Sequence, residues 1–169
     1  MRRMLIGVLG PGEGAGQREM DDAQLIGEMV AKAGWAVLTG GRVAGVMGAA
    51  TKGARAAGGL TVGLLPTPDT LGASPAIDIV LATGLGEARN AVIALSANAF
   101  VVCGMNAATA SEVALAVRNK KPVVLVRADE TASKFFRSLD GGDGVRVVMS
   151  AGEAIEVLRG VLMSGARSL

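Results

Sequence analysis

Short, almost unbroken apolar runs recur along this chain, and each is followed by a longer segment with helical spacing. Pro122-Val-Val-Leu-Val126 and Val101-Val102-Cys103 are the clearest. A strand with one wet face alternates apolar and polar residues, whereas a continuously apolar strand is expected where both faces of a sheet are covered. Such strands alternating with helices predict a parallel sheet wound in both directions. The predicted strands are Met4–Leu9, Trp35–Leu38, Leu60–Leu65, Ile77–Leu81, Ala99–Cys103, Pro122–Val126 and Val145–Val148. The predicted helices are Gln17–Ala33, Val46–Ala57, Ala88–Ala97, Thr109–Arg118, Glu130–Leu139 and Gly152–Leu162. The fold class is therefore α/β: a doubly wound, mostly parallel, Rossmann-like sheet of about seven strands with helices on both faces.

Periodicity also predicts which helix faces turn inward. These are Leu25, Ile26, Met29, Val30 and Ala33 in the first helix, Ala88, Val92 and Leu95 in the third, and Ala110, Val113, Ala114 and Val117 in the fourth. Pro66–Pro75 holds three of the five prolines and reads as a turn-rich connection. No linker, repeat or low-complexity tract interrupts residues 1–169, which read as one domain, with Ser164–Leu169 expected to fray.

Composition narrows the functions open to such a sheet. Only 2% of residues are aromatic, there is no Tyr or His, and there is one Cys. The core must be built from aliphatic residues and Met. A mean hydropathy of +0.45 hints at self-association that buries more apolar surface. Net charge is +2, and Arg118-Asn119-Lys120-Lys121 is the only dense basic cluster, with no aromatic platform for stacking bases. Nucleic acid is not an expected partner. One cysteine allows no intrachain disulfide, and without histidine no ordinary zinc site is expected, nor any other resident metal. Arg2-Arg3 precedes an apolar run too short for a signal peptide, and no segment has transmembrane length. A cytoplasmic protein with no membrane partner is the expectation.

Ligands of a doubly wound sheet collect outside the carboxyl ends of its strands. Three loops there are rich in small residues. They are Gly10-Pro-Gly12-Glu-Gly14-Ala-Gly16, Thr39-Gly40-Gly41-Arg42-Val-Ala-Gly45 and Gly104-Met105-Asn106-Ala-Ala108. Each leads from a strand into a helix, where bare N–H groups and the helix dipole favour an anion. A phosphate or other oxyanion is the predicted ligand.

Glu112 is a lone acid in an apolar helix start. Thr109-Ala-Ser-Glu112 fits a capping box, and spacing alone favours that role; Ser150-Ala-Gly-Glu153 shows the same pattern. The alternative is that Glu112 addresses a ligand at the strand ends. Arg89 tips the balance. It sits in the first turn of its predicted helix, where a cation opposes the dipole by about 0.3–1 kcal/mol unless an anion lies nearby. Pairing with Glu87 or Glu13 is the other reading, and Arg42 admits the same choice. Cys103 reads as a small core residue, Trp35 as packing, and Asp69 and Asp78 as solvated or turn-forming.

These loops resemble those of the LOG-like branch of Rossmann proteins, once labelled lysine decarboxylase-like. The carrying residues are Gly40-Gly41 with Gly45-Val-Met-Gly-Ala-Ala50, Ala54, Ala57-Gly-Gly59 and Val62-Gly63. The closer resemblance is to molybdenum cofactor carrier proteins. It rests on Gly10-Pro-Gly-Glu-Gly-Ala15, Gly34-Trp35, Leu38-Thr-Gly-Gly-Arg42, Thr83-Gly-Leu-Gly86, Ala88-Arg89, Ala94-Leu95-Ser96, Gly104-Met105, Thr109 with Glu112, and Lys120-Lys-Pro-Val-Val124.

The resemblance implies a homo-oligomer, dimer or tetramer, that binds the molybdenum cofactor (molybdopterin) or another small anionic ligand such as phosphate or an AMP-like nucleotide. The implied binding residues are Gly10, Gly12, Gly14, Gly40, Gly41, Arg42, Gly45, Arg89, Gly104, Met105, Thr109 and Glu112, with Glu112 reaching an amino-bearing ring. The alternative it implies is a nucleoside 5'-monophosphate phosphoribohydrolase with Glu112 and Arg89 catalytic. LOG-type enzymes pair their arginine with a lysine, where this chain has Asn90. They also carry glycines where this chain has Met105, Asn106 and Ala108, and Ala108 in a left-handed backbone would cost about 1–2 kcal/mol. These departures make hydrolysis doubtful and leave anion binding in place.

Overall fold

A computed structural model describes residues 2–165. Seven strands form one sheet: β1 (Leu5–Leu9), β2 (Ala36–Thr39), β3 (Thr61–Leu65), β4 (Ile79–Ala82), β5 (Ala99–Cys103), β6 (Val123–Val126) and β7 (Val145–Val148). Six helices accompany them: α1 (Gln17–Lys32), α2 (Gly45–Ala56), α3 (Arg89–Ser96), α4 (Ala107–Arg118), α5 (Glu130–Ser138) and α6 (Ala151–Gly165). The strand order is β4-β3-β2-β1-β5-β6-β7, and every pair is parallel. The predicted Rossmann-like α/β fold is therefore the observed one. Residues 166–169 of the expected frayed end lie outside the described residues, and α6 continues to Gly165.

The continuously apolar strands do separate two cores. On one face Ile6, Val8 and Val101 meet Ile26 and Val30 of α1, Ala50 and Ala54 of α2, and Ile155 and Leu158 of α6. On the other, Leu38, Phe100 and Leu125 meet Ile93 of α3, Val113 and Val117 of α4, and Phe136 of α5. The order in which strands are added reverses between β1 and β5, so the crevice for a ligand lies above those two parallel strands. Among the described residues, no helix is long and apolar enough to cross a membrane.

Two predicted faces hold only in part: Ile26, Met29 and Val30 of α1 and Val92 of α3 pack inward as expected, but other members do not. In α1 the buried residues are Ala23, Ile26, Gly27 and Val30, and Leu25 is exposed. The cause is close packing: a Cβ on Gly27 would stand 2.0 Å from the Ala50 carbonyl oxygen, and one on Gly53 2.0 Å from that of Gln24. The two helices press backbone to backbone along glycine, which hydrophobic counting cannot weigh. In α3 the inward side chains are Asn90, Ile93 and Ala94, while Ala88 and Leu95 face outward. A 3-10 turn over Gly86–Ala88 precedes α3 and rotates the register.

Candidate functional site

Arg89 and Glu112 stand together at the carboxyl end of the sheet. Arg89 opens α3 and Glu112 lies in the second turn of α4; these helices pack side by side on one face. Arg89 Nη1 is 3.9 Å from Glu112 Oε1, and the two side chains are only 13% and 12% exposed. At that distance the charges attract without a hydrogen bond. Arg89 Nε and Nη1 are buried with no hydrogen-bond partner. The alternative pairing of Arg89 with Glu87 or Glu13 is not among the ion pairs of the described residues.

The second glycine loop forms the seat of this guanidinium. A Cβ on Gly40 would lie 2.7 Å from Arg89 Nη1 and 2.7 Å from Met47 Sδ, so only glycine leaves room for Arg89 there. Met47 in turn reaches Gly12 of the first loop. Gly45 has φ +55, and a Cβ on it would strike the carbonyl oxygens of Gly12 and Pro11. A Cβ on Gly10 would strike the Cys103 carbonyl. The loops after β1, β2 and β5 thus interlock above the crevice. Arg42 is half-buried, bridges to Ala73 and lies near Gly72. Gly14 has open space around it.

Electrostatics follow from burial. Glu112 is pushed up to about 7, chiefly because burial penalises its charge, with Arg89 pulling the other way. Arg89 is lowered chiefly by burial; Glu112 pulls it back up, and the like charge of Arg42 lowers it further. Two cations and one acid that is half-protonated near neutral pH leave this seat short of negative charge.

The capping reading of Glu112 is corrected. Asn106, in extended conformation, caps α4, its Oδ1 accepting from the Thr109 N–H at 2.9 Å. Thr109 is buried inside α4 and caps nothing at the helix start. The same sequence pattern does cap α6, where Ser150 Oγ accepts from the Glu153 N–H. The signal that tells the two apart is Asn106, which extends the helix by two residues. Ala108 is then helical, and the cost expected of a left-handed alanine does not arise: Lys120 and Arg127 are the non-glycine residues described with positive φ.

Asn90, which stands where the enzymes have lysine, is buried, and its Nδ2 donates to Ser111 Oγ. Asp78 does more than make a turn: its Oδ2 accepts from both the N–H and the hydroxyl of Thr61 at 2.9 Å. Asp69 is the turn former expected, accepting from the Leu71 N–H.

Sequence reasoning missed a cavity of about 540 Å³ beyond Gly104 and Met105. It lies across the ends of β5 and β6, and its walls include Arg18, Asp22, Arg127 and Asp129. The signal available was the charged set Arg127-Ala-Asp129 directly after β6. Gly104 also faces Glu19, whose Oε2 accepts from the Gly16 N–H at the start of α1. Cys103, on the cavity floor, is pushed up to about 12 by burial and by Asp22 and Glu19, so it stays a neutral thiol.

Residues 3–167 match the model of the SLOG cluster4 family. A molybdenum cofactor binding protein from the phototrophic bacterium Rippkaea orientalis superposes with a TM-score of 0.92 at 42% identity, covering 96% of this chain and 99% of that one. The molybdenum cofactor carrier protein of Chlamydomonas reinhardtii superposes with a TM-score of 0.90 at 47% identity, over 96% and 99% of the two chains. A protein of Archaeoglobus fulgidus is 38% identical over 127 residues, 75% of this chain and 82% of its own length.

Proposed function

This chain belongs to the SLOG cluster4 family, and from that premise we propose that it binds and carries molybdenum cofactor. The observation that carries the reading is the orphaned guanidinium of Arg89. Two of its nitrogen atoms are buried without an acceptor, in a seat cut for it by Gly40. A buried donor without a partner costs about 1–3 kcal/mol, more when charged, and an oxyanion of the cargo supplies the missing acceptor. Arg42 adds positive charge, and the first two glycine loops interlock beside the guanidinium. The high similarity to proteins named for this cofactor supports the identity of the cargo.

The N-terminus of α4 contributes less than the sequence suggests, because Asn106 already takes its Thr109 N–H. Hydrolysis is the weaker reading. The position of the enzymes' lysine is filled by an amide bonded to Ser111. A carrier needs affinity without complementarity to a transition state, which suits these residues. On this reading the protein works in the cytoplasm as a homo-oligomer. Ile79 and Leu81 of the edge strand β4 lie exposed on the same sheet face as α3, whose Leu95 is also exposed, and a second copy is the occupant we assign to them.

Calorimetric titration with molybdenum cofactor tests the proposal. Wild type is expected to bind, Arg89→Lys to lose about tenfold and Arg89→Ala about a hundredfold, with unchanged circular dichroism. Equal binding by all three chains overturns it.

A further inference from the structure

The cavity across the ends of β5 and β6 is separate from the Arg89 seat: Arg89, Glu112, Gly40 and Met47 do not line it, and the chain connects the two. The Gly104–Met105 turn lines the cavity and leads into α4, which carries Glu112. A volume of about 540 Å³ is within the range of small-molecule sites and exceeds what a lone anion needs. Its floor is apolar, formed by Val102, Leu125 and the neutral thiol of Cys103. Its rim is charged with both signs.

The polar groups on that rim have unused capacity. Arg127 gives its Nε to Asp22 at 3.0 Å, which fixes the guanidinium and leaves both Nη groups without a described acceptor. Asp129 uses Oδ1 to cap α5, accepting from the Ala132 N–H at 2.7 Å, and its other oxygen has no partner among the described residues. Arg127 holds this position in a left-handed backbone, φ 53, with its own N–H on the Val148 carbonyl. A side chain kept there against its backbone preference is held by the surrounding structure.

An apolar floor with a carboxylate acceptor and guanidinium donors at the rim matches one kind of flat ligand. It is a fused ring whose edge places N–H donors beside a carbonyl acceptor. The geometry points to this cavity as the subsite for an amino-oxo-pyrimidine ring of the pterin class, with Asp129 accepting from the ring N–H edge and Arg127 donating to its carbonyl. The assignment rests on the carrier reading for the identity of the ring. The Arg89 seat then takes the anionic end of the same cargo, and the Gly104–Met105 turn lies between the two.

Fluorescence titration with 6-hydroxymethylpterin, which has no anionic group, isolates this subsite, and the difference in sulfate affinity between wild type and Arg89→Ala reads the Arg89 seat. Wild type is expected to bind the pterin. Ala132→Leu, which fills the cavity, is expected to weaken it at least tenfold without changing sulfate affinity. Asp129→Asn keeps a good helix cap and is expected to weaken pterin binding about fivefold. Guanosine should compete and adenosine should not, since adenine lacks the same edge. No pterin binding by wild type, unchanged binding in Ala132→Leu, or displacement by adenosine equal to that by guanosine overturns the subsite. Sulfate binding that ignores Arg89→Ala while pterin binding persists overturns the anion seat instead, so the two failures are distinguishable.

Discussion

Glu112 is one residue whose protonation connects stability with binding. Its folded value is raised from 4.5 to about 7, so the neutral form is the one the fold prefers. The stability this group allows is fully present below pH 4.5 and is lost as pH rises through about 7. Replacement by Gln fixes the neutral state. Urea melts of Glu112→Gln and wild type are expected to coincide near pH 4.5 and to separate by on the order of 3 kcal/mol above pH 7, with the variant the more stable. An anion on Arg89 favours the protonated acid further. Sulfate, which does not titrate in this range, should therefore bind wild type several-fold more tightly at pH 6 than at pH 8, and Glu112→Gln equally at both. The pairing of Arg89 with Glu112 was legible only as two charged residues at helix starts. That both are buried, and that Gly40 makes the room, comes from three segments far apart in sequence.

At the scale of elements, apolar runs and turn residues placed all seven strands and six helices, most directly in β1, β2, β5 and β6, whose runs are buried almost throughout and have no competing period. Helix faces were less legible. Val113 and Val117 of α4 are buried as expected, since that helix packs through ordinary side chains. The α1–α2 contact is made through Gly27 and Gly53, and a residue with no side chain leaves no mark in a hydrophobic count. The start of α4 failed because two good caps, Asn106 and Thr109, lie three residues apart and the sequence does not rank them. Thermal melts check both points. Gly53→Ala forces α1 and α2 apart and is expected to cost about 1–3 kcal/mol, whereas Asn106→Ala removes only a cap and costs about 1 kcal/mol.

Across the whole molecule, the sheet has two edges of different character. At one end β7 carries Arg146 on its exposed side; at the other β4 leaves Ile79 and Leu81 uncovered. Charge on an edge discourages further pairing, and an apolar edge invites it. If a second copy covers β4 as proposed, wild type elutes as an oligomer and Leu81→Arg as a monomer in light scattering after size exclusion; a monomeric wild type or an unchanged mass in the variant rejects β4 as the contact. The strand order has another outcome, set during synthesis. β1 pairs on one side with β2 and on the other with β5, and Leu5 already bonds Asn98, 93 positions away. A nascent chain that has not yet emerged as far as β5 holds a half-sheet whose future centre is an open margin. Until the second half arrives, that margin is the part of the polypeptide a chaperone would find bare.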